Sequence, residues 1–103
     1  MAFGKATLLE YKDVQFFKVQ QMRCSPNVSL QVSGLAFHSS LVVESIETRI
    51  DHGCMVVLVN LVPARSGLKG NFTFDFDVPK EVNSVCFGPT KHVIWQRGIG
   101  PVE

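Results

Sequence analysis

His52-Gly53-Cys54 sets an imidazole and a thiol two residues apart, on one side of the backbone if the segment is extended. Such a pair offers two zinc ligands, with Cys24 or His92 as distant partners. Zinc sites are normally built from two close pairs, as in Cys-x2-Cys, and this chain has one loose pair. The residue types therefore favour a turn histidine beside a buried thiol over a metal centre. Cys86 and His92 make a second thiol and imidazole pair, separated by Gly88-Pro89-Thr90-Lys91, which reads as a hairpin turn. A cysteine nucleophile needs its histidine base close in space, and most free cysteines in strands are inert packing groups. A small metal- or thiol-dependent enzyme using Cys54 with His52, or Cys86 with His92, is the alternative these pairs support.

Thr73, Asp75 and Asp77 project from one side of an extended segment, so the two carboxylates could act as a pair or as cation ligands. Hydrolytic or calcium chemistry needs further oxygen ligands or a partner acid that one strand does not supply. A solvated face, with its carboxylates matched by Lys or Arg on the next strand, is the simpler reading. No Gly-x-Ser-x-Gly elbow is present, and His38-Ser39-Ser40 lies in a turn between strands. The sequons at Asn27 and Asn71 matter only in a secretory context. No catalytic residue, metal or cofactor is assigned. What remains is surface: Arg65 and Lys69 in the Pro63 to Gly70 connection, Lys91 in its hairpin, and Asp75 with Asp77 are the candidate partner-binding residues.

Three cysteines leave at least one unpaired within a monomer. Free buried thiols are the simplest state. The alternative is one disulfide joining Cys24, in a turn-like Arg-Cys-Ser-Pro-Asn stretch, to Cys54 or Cys86, and sequence does not choose between the two.

These residues hang on a β framework. Asn71 to Val78 alternates Phe72, Phe74, Phe76 and Val78 against polar residues without exception, a period that a helix would scatter around its circumference. Burial of those three phenylalanines would contribute about 5 to 9 kcal/mol before entropy is subtracted. Cys54 to Val62 is apolar on both faces and predicts a central strand covered on both sides. Val14 to Val19, Val28 to Phe37 and Leu41 to Asp51 read as strands, Gly34 marking a bulge or a close approach of backbones. Asp51-His52-Gly53 is a tight hairpin signal. Pro79-Lys80-Glu81 is short enough to cross between sheets, Val85 and Phe87 share one face, and Val93 and Trp95 begin the inner face of a last strand. Residues 1–12 fit either a short strand or a tail, and residues 98–103 read as frayed. The pattern predicts a single all-β domain, a two-sheet antiparallel sandwich, immunoglobulin-like, of about seven strands.

Composition narrows the function classes. Apolar residues make up 46% of the 103 and charged residues 18%, the balance of a folded globular domain. Ten Lys and Arg against nine Asp and Glu, scattered along the chain, offer no basic stripe for nucleic acid. No apolar run is long enough for a membrane span. The first residues lack the apolar core of a signal peptide, so the expected compartment is cytoplasmic, or periplasmic or extracellular if a signal has been removed.

The segment from Phe76 to Gly88, followed by Lys91 to Arg97, resembles the ending of small β-rich proteins of unknown function from enteric bacteria, and Val32-Ser33-Gly34-Leu35 is similar too. The resemblance implies an exported periplasmic or surface domain and brings no catalytic residues. The expected function is a non-enzymatic binding domain that engages a protein partner through loops or a sheet edge, as a monomer or weak dimer. A self-associating structural subunit is a further alternative.

Overall fold

Strict alternation and β-branched content translate into nine strands in the computed structural model, which describes residues 7–23, 28–36, 41–64, 67 and 69–102. They are β1 (Thr7–Leu8), β2 (Val14–Arg23), β3 (Val28–Ala36), β4 (Leu41–Asp51), β5 (Cys54–Pro63), β6 (Asn71–Val78), β7 (Ser84–Phe87), β8 (His92–Gln96) and β9 (Gly100–Pro101). A single 3-10 turn, Tyr11–Asp13, leads into β2. Strands β2-β3-β6 form one antiparallel sheet. In the second sheet β4 runs along one edge of β5, while β1 pairs with Leu61 and Asn60, and β7 with Cys54 to Val57, along the other. Strands β8 and β9 complete that sheet.

Side chains of alternate residues from both sheets close a single two-layer core. Val19, Leu30, Val32 and Phe72 from one sheet meet Val57, Val59, Val85, Phe87 and Trp95 from the other. This is the expected sandwich. Two two-residue strands, β1 and β9, raise the strand number to nine, and β5 and β7 run parallel. Parallel neighbours need a crossover, and β6 in the opposite sheet supplies it, with Pro79 to Asn83 carrying the chain back.

Three details depart from simple alternation. Ile94 is the extra residue where Val85 pairs with Trp95 and Cys86 with Val93, so Trp95 points into the core while Val93 joins an outer cluster. The inner face expected for Val93 is thereby corrected. The outer side chains of β5 at Val56 and Leu58 are buried beside Cys86, but they are packed by Leu8, Cys54 and Val93 of their own sheet, with no second layer of strands among the described residues. On β6, Phe72 is buried whereas Phe74 and Phe76 are only half-buried. The full burial expected of all three fails because β6 is, among the described residues, the last strand of its sheet.

Gly34 marks close approach. A Cβ there would lie 2.5 Å from Val14 Cγ1 and 3.2 Å from Phe72 Cζ; pairing with β6 continues unbroken through Gly34, while the slip of β2 between Gln15 and Lys18 falls opposite it.

Candidate interaction surface

Sheet edges are where a sandwich exposes unpaired backbone donors and acceptors, so each edge must be guarded or used. Strand β2 is guarded. Its pairing with β3 slips between Gln15 and Lys18 and again between Gln21 and Arg23, and Phe16 at the first slip adopts φ 57°. Strand β4 is interrupted where Glu44 is the extra residue between Val43 and Ser45, and it carries Glu47, Arg49 and Asp51 outward. Strands β1 and β9 are two residues long.

Strand β6 differs. All eight of its residues pair in unbroken register with β3, from Asn71 opposite Leu35 to Val78 opposite Val28. Among the described residues no strand pairs with its other edge. Phe74 and Phe76 stack at 5.5 Å between centroids, half-exposed at the inner side of that edge. Asp75 and Asp77 stand exposed on the outer side. Gln31 and Ser29 lie opposite them on β3, so the cations expected on the neighbouring strand are replaced by an amide and a hydroxyl. The outer face of this sheet is therefore a polar surface carrying two carboxylates.

The remaining candidate residues fall elsewhere. Arg65, Cys24, Asn27 and His38 to Ser40 lie outside the described residues. Lys69 is exposed, and its backbone oxygen accepts a hydrogen bond from the Val43 amide at 2.9 Å. Lys91 Nζ donates to Asp51 Oδ2 at 3.0 Å, tying the β7–β8 turn to the β4–β5 hairpin. That contact holds the Asp51 carboxyl below its ordinary range and the Lys91 ammonium above its own. His52, almost fully exposed at the hairpin tip, places Nε2 3.3 Å from Asp51 Oδ1. With the apolar floor of Leu8, Val56 and Leu58, the side chains of Arg49, Asp51 and Lys91 rim a groove of about 340 Å³.

Neither thiol and imidazole pair assembles as a dyad. His92 stands opposite Phe87 and stacks on Tyr11 at 3.7 Å, whereas Cys86 stands opposite Val93, so adjacent residues of β7 send the two groups to opposite faces. The His52 ring engages Asp51. The two strand cysteines meet each other instead, Sγ to Sγ at 2.7 Å, both as free thiols. Burial and the hydrogen bond with Cys54 push the Cys86 thiol up to about 12. Among the described residues no group of three His, Cys, Asp or Glu side chains is arranged to hold a metal.

A second cavity, of about 370 Å³, opens between the end of β2 and the β8–β9 turn. Trp95 Nε1 donates to Gln21 Oε1 at 3.0 Å at its floor, and the Arg97 guanidinium lies 5.3 Å from the Trp95 ring centroid. Arg97 is also held by the Val82 and Pro79 carbonyls, which joins the β6–β7 crossover to the end of β8. The sequence does not flag Gln21, Arg97 or the exposure of Phe74 and Phe76. An alternating strand assigns its phenylalanines to a face, and nothing in its period says whether a neighbour covers the rim of that face. No helix among the described residues is long and apolar enough to cross a membrane. Comparison with known proteins gives no matching family model, no matching curated protein and no matching solved structure.

Proposed function

We propose that this domain is a non-enzymatic binding module whose β6 edge accepts an extended segment of a partner protein. The observation that carries this reading is the contrast among edges: β6 is long, unbulged and lined by half-exposed Phe74 and Phe76, while β2 and β4 are bulged and β1 and β9 are short. An added strand would gain main-chain hydrogen bonds for affinity and side-chain pockets for specificity. Its alternate residues would be apolar, against Phe74 and Phe76, and basic, beside Asp75 and Asp77. Pairing of two β6 edges with each other would bring the carboxylates of both copies into one strip, and like charges there disfavour it. Charge thus favours a different chain over self-association.

Selection of a random peptide library on the folded domain tests the reading. Enriched peptides should alternate apolar and basic residues, and on binding they should protect the β6 amides from hydrogen exchange. Asp75→Lys should weaken them without unfolding the domain. Enrichment with no such pattern, or protection confined to the loops, would reject the edge.

A further inference from the structure

Cys54 begins β5 and Cys86 lies inside β7, and the parallel register sets Ser84 opposite Cys54 and Cys86 opposite Val56. Residues 54, 56, 84 and 86 therefore share the outer face of the six-stranded sheet, with the two cysteines as diagonal neighbours. Backbone hydrogen bonds close both ends of this pairing, Asn83 N to Gly53 O at 2.8 Å and Gly88 N to Val57 O at 2.9 Å. The strands thus hold the thiols together before any covalent bond exists. A disulfide requires an Sγ–Sγ distance of about 2 Å, and the present 2.7 Å leaves only a small side-chain movement to reach it.

We propose that Cys54 and Cys86 form a dithiol site for a low-molecular-weight disulfide of the glutathione class, which converts them into an intramolecular disulfide joining β5 to β7. The site has an accessible and a resolving member. Cys54 is partly exposed, whereas Cys86 is 4% exposed and packed with Val56 and Leu58. An external disulfide therefore reaches Cys54 first.

The Cys54 thiolate attacks one sulfur of glutathione disulfide; a bond forms between them as the glutathione S–S bond breaks, and one glutathione thiolate leaves. Cys86 then loses its proton and attacks Cys54 Sγ, and the second glutathione thiolate leaves. Two protein thiols are oxidised, one glutathione disulfide is reduced to two glutathiones, and the two cysteine protons pass to the departing thiolates. Lys91, whose charge opposes the upward pull of burial on Cys86, favours the second deprotonation.

The experiment equilibrates the folded chain and its Cys24→Ser variant in glutathione buffers from reducing to oxidising, followed by intact mass and peptide mapping. The expected product of the Cys24→Ser variant has lost two hydrogen masses and retains no glutathione; in both proteins the Cys54 peptide is linked to the Cys86 peptide, and the link reverts with dithiothreitol. A Cys24→Ser, Cys86→Ser double variant should instead keep one glutathione on Cys54, because nothing remains to resolve it. Two free thiols in the most oxidising buffer, a glutathione retained on each cysteine, a crosslink to Cys24 in the intact chain, or a Cys54–Cys86 link that forms only in denaturant would each overturn the proposal.

Discussion

Strands β2 and β6 flank the same central strand, β3, yet they end their sheet in opposite ways. Strand β2 buckles twice, turns Phe16 into the left-handed region and leaves that ring 82% exposed. Strand β6 runs straight and keeps its aromatic rings on the core side. A non-glycine residue in that backbone region costs about 1 to 3 kcal/mol. The cost is concentrated on the edge that cannot easily receive a further strand, whereas the relaxed edge carries no further strand among the described residues. Regularity itself distinguishes the proposed binding edge from its counterpart.

That contrast can be broken along β6 first. Phe72→Ala removes a buried ring that stacks against Phe87, and should cost about 3 to 5 kcal/mol in urea unfolding. Gly34→Val tests the shared strand, since its side chain would collide with Val14 of β2 and Phe72 of β6 at once. A loss of about 1 to 3 kcal/mol is expected by the same measurement. Phe76→Ala should cost only about 1 to 2 kcal/mol, because its ring is half-exposed, while abolishing binding of the alternating peptides. Equal losses at Phe72 and Phe76 would show that β6 is covered and end the contrast.

On the other edge, Phe16→Gly relieves the positive φ and should raise stability by about 0.5 kcal/mol, net of the added freedom of the unfolded chain. A stability loss there would show that the exposed ring is packed after all. The smallest effect belongs to the Lys91 and Asp51 contact. A carboxyl held below its ordinary value stabilises the fold above that value and loses the contribution as pH falls through the lowered one. An ammonium held above its ordinary value contributes below that value and loses the contribution as pH rises through the raised one. Lys91→Met should therefore return the Asp51 carboxyl toward its ordinary titration by NMR, with stability differing from the parent only between those two limits.

The strands were legible wherever side-chain period was clean. The alternation from Asn71 to Val78 placed four side chains on the inner face, the double apolarity of Cys54 to Val62 located the central strand, and Pro79 to Glu81 marked a passage between sheets. Lateral relations were not legible. Period fixes which way a residue points and not which strand lies beside it, so the half-exposure of Phe74 and Phe76 stayed hidden. The meeting of Cys54 with Cys86 depends on a parallel register between strands separated by a visit to the other sheet, a purely non-local fact. By alternation with Val93 and Trp95, Ile94 reads as an outward residue, and only its unpaired place opposite Val85 and Cys86 reveals the bulge that turns Val93 outward.

The crossover from β5 through β6 to β7 also has a consequence in time. A hairpin such as β4–β5 can close from a local collision, but β7 cannot lie parallel to β5 until the intervening chain has travelled to the opposite sheet and back. The β5–β7 pairing is therefore non-local, closing only across the excursion through β6. Refolding should follow the slow kinetics of non-local β topologies, about milliseconds to seconds. Pulsed thiol labelling would supply the clock, because Cys86, buried in the folded domain, should become protected as β7 pairs with β5.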